Sequence, residues 1–112
     1  MYLNAQRMKW EDLRSIGFAD ISGTYAGIGT ALENPSRLIK FVNTTDVDVI
    51  LSTNGVDDMD IVPAGGFVLY DVMSNRSNSG GILVLDQGTR VYVKGSPTKG
   101  TVYFVSIYAA SI

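Results

Sequence analysis

Short runs of branched and aromatic residues constrain the fold of this chain more than any other feature of its sequence. The clearest runs are residues 37–43, 47–52, 67–73, 89–94 and 101–108, with weaker ones at 13–21 and 24–32. Glycine, asparagine, aspartate, serine or proline separates them roughly every 8–12 positions. Branched and aromatic side chains favour strands, and no window carries a sustained apolar stripe at helical spacing. The pattern therefore predicts an all-β, single-domain antiparallel β-sandwich or jelly-roll-like fold of about eight strands.

The turn signals predict how neighbouring strands connect. Asn54-Gly55 is a pair in which both residues tolerate positive φ, so it predicts a hairpin whose return strand is 56–62. Residues 95–100 predict a second hairpin, before the last strand at 101–108. That last run is apolar on both faces, which predicts a central strand.

An extended N-terminal arm, residues 1–12, is predicted to precede a β-sandwich domain, residues 13–112. The large apolar residues of the arm have no regular period, so they do not build a core by themselves. They are predicted to contact a neighbouring subunit, or else to fold back on their own domain, and both possibilities stay open. These residues are Tyr2, Leu3, Met8 and Trp10.

A polar stretch, residues 74–81, predicts a long surface loop. Its residues Asn75, Arg76 and Asn78 are predicted to contact a second partner.

The missing residue types exclude most catalytic chemistry. The chain has no cysteine and no histidine, and therefore no disulfide, Cys/His zinc site, thiol nucleophile or imidazole base. Residues 23–29 are rich in glycine but lack the Gly-Lys-Ser/Thr ending of a phosphate loop. We predict that the protein is not an enzyme, has no catalytic residues and uses no cofactor.

Charge and hydropathy restrict the partners. Nine Lys/Arg against eleven Asp/Glu give a net charge of −2, which disfavours specific nucleic-acid binding. No apolar run approaches the roughly 20 residues that span a bilayer, and the N-terminus lacks the apolar core of a secretory signal. We expect no specific nucleic-acid partner and no membrane partner.

Five aspartates lie close together in the sequence, and their oxygens are of the kind that Ca²⁺ prefers. Their spacing matches no calcium-loop motif, and some alternate with apolar residues as on a solvated strand. We predict a solvated face or a subunit contact rather than a metal site, with a bound cation as the alternative. The residues are Asp46, Asp48, Asp57, Asp58 and Asp60.

Several short sequence segments resemble those of a known group of proteins. They are LRSIGF (13–18), ISGTY (21–25), NPSRLI (34–39), NTTD (43–46), PAGGFVLYD (63–71) and GTRVYVK (88–94). In these segments and in the spacing of its predicted strands and turns, the chain resembles small β-sandwich proteins from structural gene modules of tailed bacteriophages. The resemblance implies a virion structural protein, made in the host bacterial cytoplasm and without enzymatic activity. It implies a homo-oligomer whose other partners are portal, capsid or tail components.

One function is our leading hypothesis, and two others are alternatives to it. The first is a connector, completion or adaptor ring protein at the head–tail junction. The second is a capsid decoration or cement protein on the head surface. A different class is a receptor- or carbohydrate-binding module of a tail fibre, with Tyr70, Tyr92 and Tyr103 as stacking surfaces.

Overall fold

Antiparallel strands account for the regular structure of the computed structural model, which describes residues 6–71 and 85–111. The strands are β1 (Gln6–Trp10), β2 (Arg14–Gly17), β3 (Ala26–Gly27), β4 (Leu38–Asn43), β5 (Val49–Ser52), β6 (Asp60–Val62), β7 (Phe67–Asp71), β8 (Tyr92–Lys94) and β9 (Thr101–Ser111). Sheet A has the order β1-β9-β4-β7, with β2 also paired to β9, and sheet B has the order β3-β8-β5-β6. The two sheets pack together, which confirms the predicted all-β sandwich.

The hydrophobic core lies between the two sheets. Alternate residues of most strands point into it, as expected for sheets that bury one face, whereas residues 7–10 of β1 are exposed. The rings of Phe41 and Phe104 stack at its centre, with centroids 4.7 Å apart. The other buried residues of this core cluster are Ile16, Ile21, Ile28, Leu32, Val49, Leu51, Val62, Val91, Val93 and Val102, and Ile107 is buried outside the cluster.

The central position of β9 confirms the prediction made from its two apolar faces. This strand pairs with β1 and β2 along one edge and with β4 along the other. It runs from Thr101 to Ser111, three residues beyond the predicted end. The extra residues pair with β1 alone, so β1 and the end of β9 form a two-stranded ribbon that extends past β4.

Most connections cross from one sheet to the other. The turns after β4, β6 and β8 all lead into the opposite sheet. The predicted hairpin at 95–100 is therefore wrong, because β8 bonds to β5 and β9 bonds to β4. Within the described ranges, β5 and β6 are the one consecutive pair whose strands bond to each other.

The loop between β5 and β6 is longer than the predicted two-residue hairpin. Gly55 has the expected positive φ of 74°, but β6 begins only at Asp60. The side-chain oxygen of Asn54 accepts hydrogen bonds from the backbone N–H groups of Val56 and Asp57, at 2.8 and 2.9 Å. These bonds hold the chain in a turn where the return strand was predicted to begin.

Other predicted strands are also shorter in the structure. The run 13–21 yields β2 and then a 3-10 turn, Phe18–Asp20, while 24–32 yields only the two-residue β3. Gly29 has a φ of 65°, which an extended strand does not accommodate. The run 89–94 is a strand only from Tyr92.

A buried ion pair joins the start of β2 to the core. The Arg14 guanidinium lies 2.8 Å from the Glu11 carboxylate, and both side chains are less than one-tenth exposed. Arg14 also donates to the carbonyls of Thr30 and Ala31 and lies over the ring of Phe104. The pair thus connects sheet A to the segment that follows β3.

Asn43 is a second buried polar group, at the end of β4. Its side-chain nitrogen donates to the carbonyls of Val47, Val62 and Pro63, at 2.9–3.2 Å. Its oxygen accepts from the backbone N–H and the hydroxyl of Thr45. One side chain therefore provides hydrogen bonds to backbone carbonyls at two connections between the sheets, β4 to β5 and β6 to β7.

Candidate functional site

The outer surface of sheet A is the candidate functional site because apolar side chains predominate across its strands. Directly paired residues of antiparallel strands place their side chains on the same face. The register defines three rows: Trp10, Ile107, Leu38 and Asp71 in the first, Val105, Lys40 and Leu69 in the second, and Ser15, Tyr103, Val42 and Phe67 in the third. We call these rows, together with Met8, the outer face.

The outer face is exposed at both of its lateral edges. Phe67 is 65% exposed and Leu69 is 52% exposed on β7, while Trp10 is 63% exposed on β1. Contiguous exposed apolar surface of this kind typically marks a contact with another molecule. The outer face is therefore the candidate contact surface of the described residues.

Lys40 is the one basic residue within these three rows, and it lies in the middle of them. Val105 and Leu69 flank it in the same row. It is half-buried and forms no ion pair with the residues that the structure describes. Covering the outer face would desolvate this ammonium group, so a matching surface needs a carboxylate opposite it.

Two of the predicted arm residues lie on the outer face. Met8 and Trp10 belong to β1, where they pair with Ala109 and Ile107 of the same chain. Their side chains remain exposed even though the backbone of the arm is bonded to β9. The other two arm residues, Tyr2 and Leu3, lie outside the described residues.

The predicted loop contacts Asn75, Arg76 and Asn78 also lie outside the residues that the structure describes. The three tyrosines of the binding-module hypothesis do not form one surface. Tyr70 faces inward and makes an edge-to-face contact with Phe41, Tyr103 lies on the outer face, and Tyr92 lies on sheet B beneath Arg90.

The five aspartates serve separate local contacts. Asp46 accepts hydrogen bonds from Thr98, which hold the pKa of its carboxyl below the usual value. Asp48 accepts from the N–H of Ala64, and Asp60 accepts from the N–H of Ile61. In the described ranges, no three acidic side chains come close enough together to hold a metal ion.

Asp58 belongs to a charged contact on sheet B. It lies 2.8 Å from the Lys94 ammonium and accepts a 2.6 Å hydrogen bond from the Tyr25 hydroxyl. The ion pair with Lys94 and this hydrogen bond lower the pKa of Asp58. Desolvation and the bond to Asp58 raise the pKa of Tyr25 to about 12.

A second exposed surface combines apolar and acidic residues. We call residues 56–61 the acidic edge, because they approach and enter β6 at the margin of sheet B. Its apolar side chains are all about half exposed or more, and no basic residue interrupts the segment. Its members are Val56, Asp57, Asp58, Met59, Asp60 and Ile61.

The outer face was not among the predictions, although the sequence contains a signal for it. The run 37–43 places Leu38 and Val42 on the face opposite to Ile39 and Phe41, so both of its faces are apolar. A strand of this kind in a two-layer sandwich has one apolar face left outside. The same pattern recurs in the runs of β7 and β9.

No protein-family model, curated protein or solved structure matches this chain. In the parts of the chain that the structure describes, no helix is long and apolar enough to cross a membrane.

Proposed function

We propose that this protein is a structural subunit that assembles with copies of itself through the outer face. The observation that carries the proposal is the five-stranded sheet whose solvent side is apolar in β1, β4, β7 and β9. Fully burying one large apolar side chain is worth about 1.5–3 kcal/mol. Several half-exposed side chains on one face therefore supply a useful contact energy, and repetition in a symmetric assembly multiplies it.

The contact that fits the charges is head to tail. Two identical outer faces packed together would bring two Lys40 ammonium groups into one interface, and the one carboxylate of the three rows, that of Asp71 on β7, belongs to a different row from Lys40. The acidic edge has more carboxylates than the outer face and no basic residue, and its Asp57 lies in the sequence between Val56 and Met59, whose side chains are exposed. We propose that the outer face of one copy covers the acidic edge of the next.

A head-to-tail contact has a consequence for the shape of the assembly. Such contacts close into rings when the rotation between subunits permits it. This agrees with the head–tail junction ring that the resemblance to phage proteins implies, and we propose that role and a place in the virion. Particles carrying hundreds of copies over the head would instead identify a decoration protein.

Complementation between two variants tests the contact. The face variant combines Phe67→Ser with Leu69→Ser, and the edge variant combines Val56→Ser with Ile61→Ser. All four side chains are exposed, so both variants are expected to fold as the wild type does. By sedimentation equilibrium, we expect the wild type to form oligomers, each variant to be monomeric, and an equimolar mixture to form dimers.

The mixture forms only dimers because each variant retains one intact half of the contact. Lys40→Glu is expected to weaken assembly at least about tenfold through like-charge repulsion, whereas Lys99→Glu, with the same charge change on a connecting loop, is not. A wild type that stays monomeric up to millimolar concentration would refute self-assembly. An edge variant that assembles normally would refute the head-to-tail contact.

A further inference from the structure

A cavity of about 290 Å³ lies between the two sheets, on the inner side of sheet A. Apolar side chains from both sheets and from the connecting segments line it: Ile39, Phe41, Leu51, Met59, Tyr70, Leu85 and Val91. The half-buried Arg37 and Asp60 are also part of its lining. The sandwich therefore leaves apolar space next to its stacked Phe41 and Phe104 rings.

Ser36 is one of the buried residues that line this cavity. The residue is 1% exposed, and its backbone N–H and carbonyl are both bonded to Leu85. Its side-chain oxygen has no hydrogen-bond partner among the described residues. A buried hydroxyl without a partner costs about 1–3 kcal/mol, so native proteins rarely retain one.

We propose that this cavity binds a small, uncharged, mostly apolar molecule that carries one hydrogen-bonding oxygen, with Ser36 as its polar partner. An engineered cavity of about 150 Å³ accommodates benzene, so this one has room for a ring with a short substituent. Its apolar walls disfavour a charged ligand. The Ser36 hydroxyl can donate to a carbonyl or alcohol oxygen, or accept from an alcohol.

The site lies apart from the outer face, although Met59 and Asp60 of the acidic edge are part of its lining. The cavity lies on the inner side of sheet A, whereas the outer face lies on the opposite side of the same strands. Substitutions at Phe67 and Leu69 are therefore expected to leave ligand binding unchanged. Failure of one proposal is distinguishable from failure of the other.

Titration of the full chain with benzyl alcohol and toluene, followed by methyl NMR, tests the site. Both probes are aromatic and similar in size, and only benzyl alcohol carries an oxygen. We expect saturable shifts of the methyl groups of Ile39, Leu51, Leu85 and Val91, with benzyl alcohol binding more tightly. Ser36→Ala is expected to weaken the binding of benzyl alcohol about three- to tenfold and to leave the affinity for toluene unchanged.

Ser96→Ala serves as the control, because this serine is exposed on a connecting loop away from the cavity. It is expected to change the affinity of neither probe. Shifts that do not saturate, or that are spread over exposed methyl groups, would overturn the site. Equal weakening of both probes by Ser36→Ala would overturn the role of its hydroxyl.

Discussion

Glu11→Ala is expected to lower the free energy of unfolding by about 3–5 kcal/mol, because it leaves Arg14 charged, buried and without its carboxylate. The same carboxylate accepts hydrogen bonds from the backbone N–H groups of Glu33 and Asn34 and from the side chain of Asn34. Loss of these acceptors adds to the cost. Urea unfolding followed by circular dichroism measures the change.

Asp12→Ala is the matched control for this substitution. Asp12 is the neighbouring acidic residue and is exposed, so its removal is expected to change stability by less than about 0.5 kcal/mol. Glu11→Gln keeps an oxygen that can accept from Arg14 and is expected to cost less than Glu11→Ala. Equal stabilities of Glu11→Ala and Asp12→Ala would contradict the importance of the buried pair.

The Glu11 contribution is also expected to depend on pH. Burial opposes its charge, but hydrogen bonds from Arg14, Asn34 and the Glu33 N–H outweigh burial and lower the pKa of Glu11 below its ordinary 4.5. Stability from such a group is complete above the ordinary pKa and is lost as the pH falls through the lower folded value. The difference in unfolding free energy between the wild type and Glu11→Gln should therefore be larger at pH 7 than in acid. Urea unfolding midpoints at the two pH values measure it.

Gly100→Ala is the second substitution with a large expected effect, about 3 kcal/mol or more. Gly100 precedes β9 and has a φ of 92°, in the region that L-residues rarely adopt. A methyl group here would also collide with the backbone of Thr44 and Thr45, which leads out of β4. Neither backbone can move away without breaking the pairing of β4 with β9. Thermal and urea unfolding measure the loss.

Gly88→Ala separates the two causes. Gly88 has nearly the same backbone conformation, with a φ of 87°, but an added methyl group there would meet nothing within 4 Å. It is expected to cost only the conformational penalty, about 1–2 kcal/mol. If the two substitutions cost the same, close packing at Gly100 would not be the reason that glycine is needed there.

The class of fold could be predicted from sequence because alternation and turn residues are local signals. The central position of β9 followed from the apolar residues on both of its faces. The partner of each strand could not be predicted, since the turn at 95–100 reverses the chain in the same way within one sheet or between two. Hydrogen bonds to distant segments decide between these possibilities, such as the bond from the Gly95 N–H to the Ser22 carbonyl and the bond from the Thr98 N–H to the Asp46 carboxylate.

The buried ion pair and the outer face are two further features that could not be predicted from the sequence. Arg14 lies between Leu13 and Ser15, and its charge gives no indication of burial. It is buried because Glu11 and two carbonyl groups surround it in the folded chain. Likewise, residues 37–43 show that both faces of a strand are apolar, but the register is needed to tell which face is left outside.

The central position of β9 bears on how the protein is made. During synthesis β9 leaves the ribosome after every other described strand, yet β1, β2 and β4 all bond to it. Until it emerges, sheet A can form only the pair β4–β7, and the apolar faces of β4 have no completed layer to pack in. Folding of this sandwich is therefore a step that follows translation of its last strand, when a sequence-distant central strand enters between segments already made.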